Sequence, residues 1–377
     1  MSKLEELLKE YCPNGVEYVQ IGSIVCYEQP TKYLVQSTDY NDDFTTPVLT
    51  AGQTFILGYT NETDGIYNAS KENPVIIFDD FTGAFKWVDF PFKVKSSAIK
   101  LLKADEKQTT LRYVYHLMGN IGFSSNEHKR LWISSYAENQ VPLPALPVQR
   151  EIVRVLDSFT LYCSELTAEL TARRKQYEFY RDKLLTFSQN DFEWTILEKI
   201  AVYTNGKGHE NNVNEKGKYI LINSKFVSTK GEVIKFVDEQ FSPIYQNEFA
   251  MVLSDLPNGR ALAKCFFVLE DDRYTVNQRI CKISNINEKI LPKFLFYYMD
   301  RNKYFLAKDN GVDQTNLSKD YVLQMPIPVL PLAFQKRIVY VLDNFDAICS
   351  DLGIGLPAEI EKRQKQYEYY RDKLLTF

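Results

Sequence analysis

The chain has 377 residues, 45% apolar and 14% aromatic, with a net charge of −4. This length and apolar content exclude a disordered polymer and leave room for two or three domains with real cores. The slight acidity excludes a surface that is basic all over, so any nucleic-acid site must be local. No apolar run approaches the ~18 residues of a transmembrane helix, and the first residues do not read as a secretion leader. Six cysteines without a CxxC pair suggest a reduced, cytoplasmic protein, and three histidines argue against a zinc site.

Residues 2–11 predict a short amphipathic helix, stopped at Pro13-Asn-Gly15. Val16–Ile24 opens a first domain. Pro74–Phe78 predicts a buried strand running into Asp79-Asp80, a Thr82-Gly83 turn and Lys86. A strand around Phe92–Val94, the stretch Ser96–Leu102 and a helix over Thr109–Met118 follow. A glycine loop, Gly122–Arg130, precedes Ser135-Tyr-Ala-Glu138, which reads as a capping box. The prolines of Val141-Pro-Leu-Pro144 keep the next helix from extending backwards. That helix carries a seam at Ile152, Leu156, Phe159, Cys163, Leu166, Leu170, Arg173, Tyr177, Tyr180 and Leu184, stepping by four and three. All but Arg173 are apolar or aromatic, the pattern of a coiled-coil face. If continuous over 149–187 it would be on the order of 58 Å long.

The second half repeats the plan. Phe192–Ile200 answers Val16–Ile24. Glu248–Leu253 runs into Ser254-Asp255, an Asn258-Gly259 tight-turn signal, Arg260 and Lys264. Thr275–Ile283, a helix over Leu291–Met299, the loop Gly311–Lys319 and Met325-Pro-Ile-Pro328 follow. The second seam holds Ile338, Leu342, Phe345, Cys349, Tyr367 and Leu374. Lys175–Phe187 returns as Lys365–Phe377 with twelve of thirteen residues identical, and Gln149–Phe159 returns as Gln335–Phe345. The chain is therefore a duplicated module. Cys163 and Cys349 lie 186 positions apart, Lys175 and Lys365 190, so four residues are inserted near Gly353-Ile-Gly-Leu-Pro357. That is a stutter, and its glycines and proline predict a kink or short break.

The expected fold is a duplicated α/β (α+β) chain: two globular mixed α/β domains separated by two long helices in an antiparallel coiled coil, pseudo-twofold. The expected divisions are 1–145 (N-terminal helix and first domain), 146–190 (first long helix), 191–330 (second domain) and 331–377 (second long helix). The N-terminal helix should complete the first domain as the tail of the first long helix completes the second.

No catalytic signature is present: no GxxxxGK[ST], HExxH, G-x-S-x-G, Asn-Pro-Pro-Tyr or glycine-rich cofactor loop. Asp79-Asp80 lacks a partner carboxylate for a metal and reads as a solvated strand end. What is present is polar loop chemistry of the kind that reads base edges and holds phosphates. The first domain offers Lys32, Gln53, Lys86, Ser125, Asn126, His128, Lys129 and Arg130. The second offers Lys207, His209, Asn223, Lys225, Asn258, Arg260, Lys264, Asn277, Gln278, Arg279, Gln314, Thr315 and Asn316. Residues 203–235 hold six lysines against three glutamates, a local excess in an acidic chain. Each residue alone reads equally as a turn former or surface charge. The alternative function is a helical scaffold whose two heads bind proteins.

Several segments resemble the type I restriction–modification specificity subunits. They are Gln335-Lys-Arg-Ile-Val, Gly355-Leu-Pro-Ala-Glu-Ile360, the Lys-Gln-Tyr-Glu-Tyr-Tyr-Arg-Asp-Lys-Leu-Leu tail, Gly311-Val-Asp-Gln-Thr-Asn-Leu-Ser318, and His128-Lys-Arg-Leu-Trp-Ile-Ser-Ser-Tyr136. The resemblance spans the chain in order. It implies a non-catalytic DNA-reading subunit whose two target recognition domains each read one half of a split, asymmetric sequence. It further implies helices that set the spacing and hold two methyltransferase subunits, and through them two restriction subunits. S-adenosylmethionine, ATP and magnesium would belong to those partners, with no cofactor or metal in this chain. The first helix departs from the family pattern, having Leu166-Thr-Ala-Glu-Leu-Thr-Ala172 in place of a Gly-Leu-Pro-Ala insert.

Overall fold

The computed structural model describes residues 3–52, 54–121, 130–188, 190, 192–350 and 353–377, with only the backbone at 133, 134 and 210. In chain order the first half runs α1 (Lys3–Tyr11), β1 (Glu17–Gln20), α2 (Ile21–Ile24), β2 (Val25–Glu28), β3 (Thr46–Leu49), β4 (Ile56–Thr60) and β5 (Val75–Asp79). Then come β6 (Phe85–Val88), β7 (Lys93–Val94), β8 (Ile99–Ala104), α3 (Leu111–Asn120), α4 (Leu131–Ser134), β9 (Gln140–Leu143) and α5 (Leu146–Leu184). The second half opens with β10 (Glu193–Ile196), β11 (Ala201–Asn205), β12 (Tyr219–Ile222), α6 (Ser224–Ser228), β13 (Phe236–Val237), β14 (Pro243–Ile244), β15 (Phe249–Val252) and β16 (Ser254–Asp255). It continues with β17 (Cys265–Phe267), β18 (Tyr274–Val276), β19 (Ile280–Asn285), α7 (Pro292–Met299), α8 (Lys303–Leu306), β20 (Thr315–Asn316), α9 (Lys319–Leu323) and β21 (Pro326–Val329). Helices α10 (Leu332–Ser350) and α11 (Leu356–Leu374) end the chain.

Each half builds a four-stranded sheet with a smaller or equal sheet beside it. The first has a four-stranded sheet ordered β2-β8-β5-β6, and the second has β11-β19-β15-β17. Beside it lies a sheet with a parallel pair, β3 with the edge strand β7 in the first half and the central β12 with β18 in the second. A ribbon closes each domain: β1 pairs β9 from Glu17↔Leu143, and β10 pairs β21 from Glu193↔Val329.

The apolar strand β5 is buried on both faces. Its side chains alternate, as strand geometry demands: Ile76 and Phe78 join the core of α3, while Val75 and Ile77 join the core of the second sheet. In β15, Phe249 and Met251 face α7, while Ala250 and Val252 face the second sheet. The continuous apolar run thus feeds two cores at once.

The chain divides into two compact units, Met1–Ala168 with Ala358–Phe377, and Glu169–Pro357. Each unit takes part of both long helices. In the first unit Phe159 stacks on Tyr370 at 5.2 Å, and Ile152 and Leu156 share a core with Leu375. In the second, Tyr177 and Tyr180 meet Phe345, and Leu184 packs on the core of Ile338 and Leu342. In both, later residues of one helix meet earlier residues of the other, an antiparallel course. Along the seam Cys349 is buried, while Cys163, Leu166, Leu170, Tyr367 and Leu374 are half-buried.

Two buried amides pin the helices to their domains. Gln149 Nε2 donates to the Gln108 and Pro144 carbonyls, and its Oε1 accepts from Thr109 Oγ1 and Thr110 N–H. Gln335 repeats this with the Lys289 and Leu330 carbonyls and Leu291 N–H. Two carboxylates add a second pin. Asp157 accepts from Arg112 and His116, both at 2.8 Å; Asp343 accepts from Tyr297 at 2.5 Å and pairs with Lys293 at 3.0 Å. Burial alone would raise the Asp157 pKa, but the His116 hydrogen bond and the Arg112 charge outweigh it and hold the carboxyl below its usual range.

Several expectations need correction. Asp80 is 1% exposed and paired with the equally buried Lys100 at 3.3 Å, not solvated. Its Oδ1 accepts from Trp132 N–H, which explains the burial: it anchors the chain entering α4. Ser135 makes no capping hydrogen bond, and Tyr136–Glu138 is one 3₁₀ turn. The first domain is completed not by α1 alone but also by Leu374 and Leu375, the counterparts of Leu184 and Leu185 in the second. The expected break in the second long helix separates α10 from α11, whereas α5 runs unbroken for 39 residues.

Candidate nucleic-acid interface

In the second domain the polar loops meet at one rim, because β11, β12, β15 and β18 all end there. Backbone hydrogen bonds fix the meeting. Gly206 N–H donates to Ile280 O and Lys207 N–H to Val276 O; Asn277 N–H reaches Ile222 O. Leu253 N–H donates to Arg279 O, and Leu317 N–H to Leu253 O. Residues 206–207, 223, 254–260, 277–279 and 314–316 thus form one edge.

Gly206 is needed for this approach, since a Cβ there would lie 2.1 Å from the Asn277 carbonyl oxygen. Asn258 takes the left-handed conformation at φ 54°, which asparagine tolerates better than most residues. Its amide donates to Gly311 O at 3.4 Å, tying two loops together. Asp255 accepts from the Leu256, Ala261 and Leu262 N–H groups and sets the turn between them.

The sequence candidates separate by exposure. Lys207, Lys225, Arg260, Gln278, Arg279 and Asn316 present exposed side chains. Gln314 is exposed, but its amide already donates to Ser254 Oγ at 2.7 Å, and Thr315 is largely buried. Asn223 accepts from Phe226 N–H as the N-cap of α6. Asn277 sets the turn by its backbone.

Two candidates point away from the rim. His209 is 1% exposed: Nδ1 donates to Lys207 O, and Nε2 accepts from Thr275 Oγ1 at 3.0 Å and from Phe241 N–H. A ring held this way braces β18 and cannot reach a groove. Lys264 Nζ donates to Ser228 O and lines a cleft of about 450 Å³ with Asp300, Asp343 and Asp346 on the helix side of the domain. Burial there lowers its pKa, and burial raises that of Asp300.

In the first domain Arg130 is exposed at the start of α4, where Leu131 N–H donates to Asp80 O. Lys32 is exposed and pairs with Glu28 at 3.6 Å, and Lys86 is half-buried on β6. Gln53, Ser125, Asn126, His128 and Lys129 lie outside the described residues. The sequence reading names no site residue in the turn 95–98, which lies between β7 and the start of β8 at Ile99. The signal was available: Val94 and Ile99 bracket this turn as Val276 and Ile280 bracket 277–279. Among the described residues no group of three or more His, Cys, Asp or Glu is placed to hold a metal, and no helix is long and apolar enough to cross a membrane.

Comparison with known proteins agrees with this architecture. The family model for the type I restriction modification DNA specificity domain matches twice, over residues 13–174 and 196–362. The EcoR124I/EcoR124II specificity subunit of Escherichia coli is 41% identical over all of this chain and 97% of its own length. The type I system S subunit from M. genitalium superposes with a TM-score of 0.59 at 15% identity, covering 96% of both chains. A chain from a study of complex assembly and conformational transition of the type I system gives 0.58 at 14% identity, over 96% of this chain and 98% of that one.

Proposed function

Because the chain belongs to the type I restriction–modification specificity subunits, with two DNA-recognition domains, we propose that each domain reads one half of a bipartite, asymmetric sequence. The observation that carries this is the duplication itself. Both domains are fixed to their helices by the same buried amide and the same carboxylate, yet their rims present different side chains. A shared frame with unlike rims suits two unlike half-sites. In the second domain Gln278, Arg279 and Asn316 are the base readers, and Lys207, Lys225 and Arg260 hold phosphates. In the first, Arg130 enters from the start of α4.

The chain supplies specificity, and chemistry comes from its partners. Two methyltransferase subunits, which bring S-adenosylmethionine, dock on the duplicated helices. Restriction subunits, using ATP and magnesium, join through them. The support for two copies is that exposed apolar positions recur in both helices: Phe179 and Tyr369, 62% and 60% exposed, and Tyr162 and Ile348, 60% and 41%. Six free thiols suit work in the cytoplasm.

Exchanging residues 17–141 for those of a relative should change one half of the methylated sequence and leave the other. A change in both halves would refute the modular reading. An electrophoretic shift with the purified complex separates DNA reading from a protein-binding scaffold, which would show no sequence preference.

A further inference from the structure

The first domain's described rim offers few base-reading side chains beside Arg130, while the second offers a polar turn over 277–279. Three matched hydrogen bonds locate that turn's counterpart. Lys95 N–H donates to Leu49 O as Asn277 N–H donates to Ile222 O. Ile99 N–H donates to Ser96 O as Ile280 N–H donates to Asn277 O. Asp80 N–H donates to Ala98 O as Leu253 N–H donates to Arg279 O. The strands agree: Val48↔Lys93 and Leu49↔Val94 pair in parallel, like Leu221↔Thr275 and Ile222↔Val276.

The turn is held from both sides. Before it, Lys93 is 3% exposed, with Nζ donating to Asp64 O at 2.7 Å and pairing with Glu62 at 2.8 Å. Thr275, at the same register position, is braced instead by His209. After it, the buried Lys100–Asp80 pair fixes β8 to the start of α4. Ser96 Oγ accepts from Ala98 N–H and shapes the turn internally. Lys95 and Ser97 are left with exposed side chains, the Lys95 ammonium 5.8 Å from the Tyr40 ring centroid.

We propose that the turn 95–98 is the base-reading element of the first domain, with Lys95 and Ser97 as specificity-determining residues for its half-site. Two buried, oppositely paired lysines flanking an exposed one make a stiff presenter. A lysine there donates to the guanine O6 and N7 acceptors, and a serine serves either partner. The geometry deepens the function proposed above and rests on it.

The test is methylation by the complex of this chain with its methyltransferase subunits, read on duplexes randomised in one half-site at a time. Lys95→Ala and Ser97→Ala should each lose on the order of 5- to 150-fold in discrimination at one base pair of the first half-site. The second half-site should be unchanged. Lys95→Arg keeps the charge and can donate to the same guanine acceptors, so it should retain the preferred base that Lys95→Ala loses. Thermal unfolding should match the parent, since both side chains are exposed. Unaltered first-half preferences in both alanine variants would overturn the assignment, as would equal losses on cognate and scrambled DNA. A parent complex that methylates no two-part motif would overturn both this assignment and the function beneath it. A parent that does, with alanine variants indistinguishable from it, would overturn the turn alone.

Discussion

The two domains solve the same buried problem with different chemistry. Where the first has Asp80 and Lys100, the register of the sheet puts Leu253 and Cys281 in the second, both without charge. Where the first braces its parallel strand with Lys93, Glu62 and the Asp64 carbonyl, the second uses Thr275 and a histidine. By contrast, the joints to the helices are kept: Gln149 with Gln335, Asp157 with Asp343. The difference teaches where the constraint lies. The angle between domain and helix is fixed by a shared device, while the rim can be held by any chemistry that keeps its strands in place.

Breaking the comparison most severely is Lys100→Met. It strands the buried Asp80 charge and should cost roughly 3–5 kcal/mol in chemical denaturation. Replacing both residues by those of the second domain, Asp80→Leu with Lys100→Cys, should recover more than half of that loss. A double variant as unstable as the single would mean that the pair is not what matters.

Next come the shared joints. Gln149→Ala and Gln335→Ala each leave several buried groups unpaired and should lose about 2–3 kcal/mol. The losses should be similar in size, and a large effect at only one site would break the equivalence of the halves. Arg279→Ala should cost roughly 1–3 kcal/mol of discrimination at one base pair of the second half-site. Lys225→Ala should weaken all sequences alike and reduce the slope of log K against log salt by about 0.9.

A smaller effect tests the helix carboxylate Asp157 by pH. The folded pKa of Asp157 lies below its usual value, so its stabilisation is present above the unfolded pKa of about 3.9 and is lost as pH falls through the folded one. Hydrogen exchange over Leu111–Asn120 should speed up on acidification through that window, and Asp157→Asn should flatten the dependence. The last test leaves both half-sites intact. Inserting Thr-Ala-Glu-Leu after Leu170 adds about 6 Å of helix, and the gap between methylated half-sites should lengthen by one or two base pairs. An unchanged gap with full activity would move the ruler from the helices to the domains.

Much of this frame was legible in the sequence because it is repeated or periodic. The seam from Ile152 to Leu184, the break near Gly353–Pro357 and the buried runs at 75–79 and 249–252 all declare themselves by spacing. What stayed hidden depends on pairing across distance. Nothing local in Lys93, Lys95 and Lys100 says that two are buried and one exposed; that follows from Glu62 and Asp80, 31 and 20 positions away in sequence. His209 and Lys264 looked like surface polar residues because the groups that bury them, Thr275 and Ser228 among them, lie on other elements. Gln314 read as a free amide because its partner Ser254 is 60 residues earlier.

A strand whose alternate residues feed two separate cores cannot slip. Removing one residue from β5 or β15 would turn each core's side chains into the other, a cost on both faces at once. Insertions and deletions are therefore confined to the segments between strands, where three residues at 277–279 answer four at 95–98. New sequence preference can then arise by changing the length and composition of a turn while every buried position stays as it was. The frame is inherited as a unit, and the part that meets the outside is free to diverge.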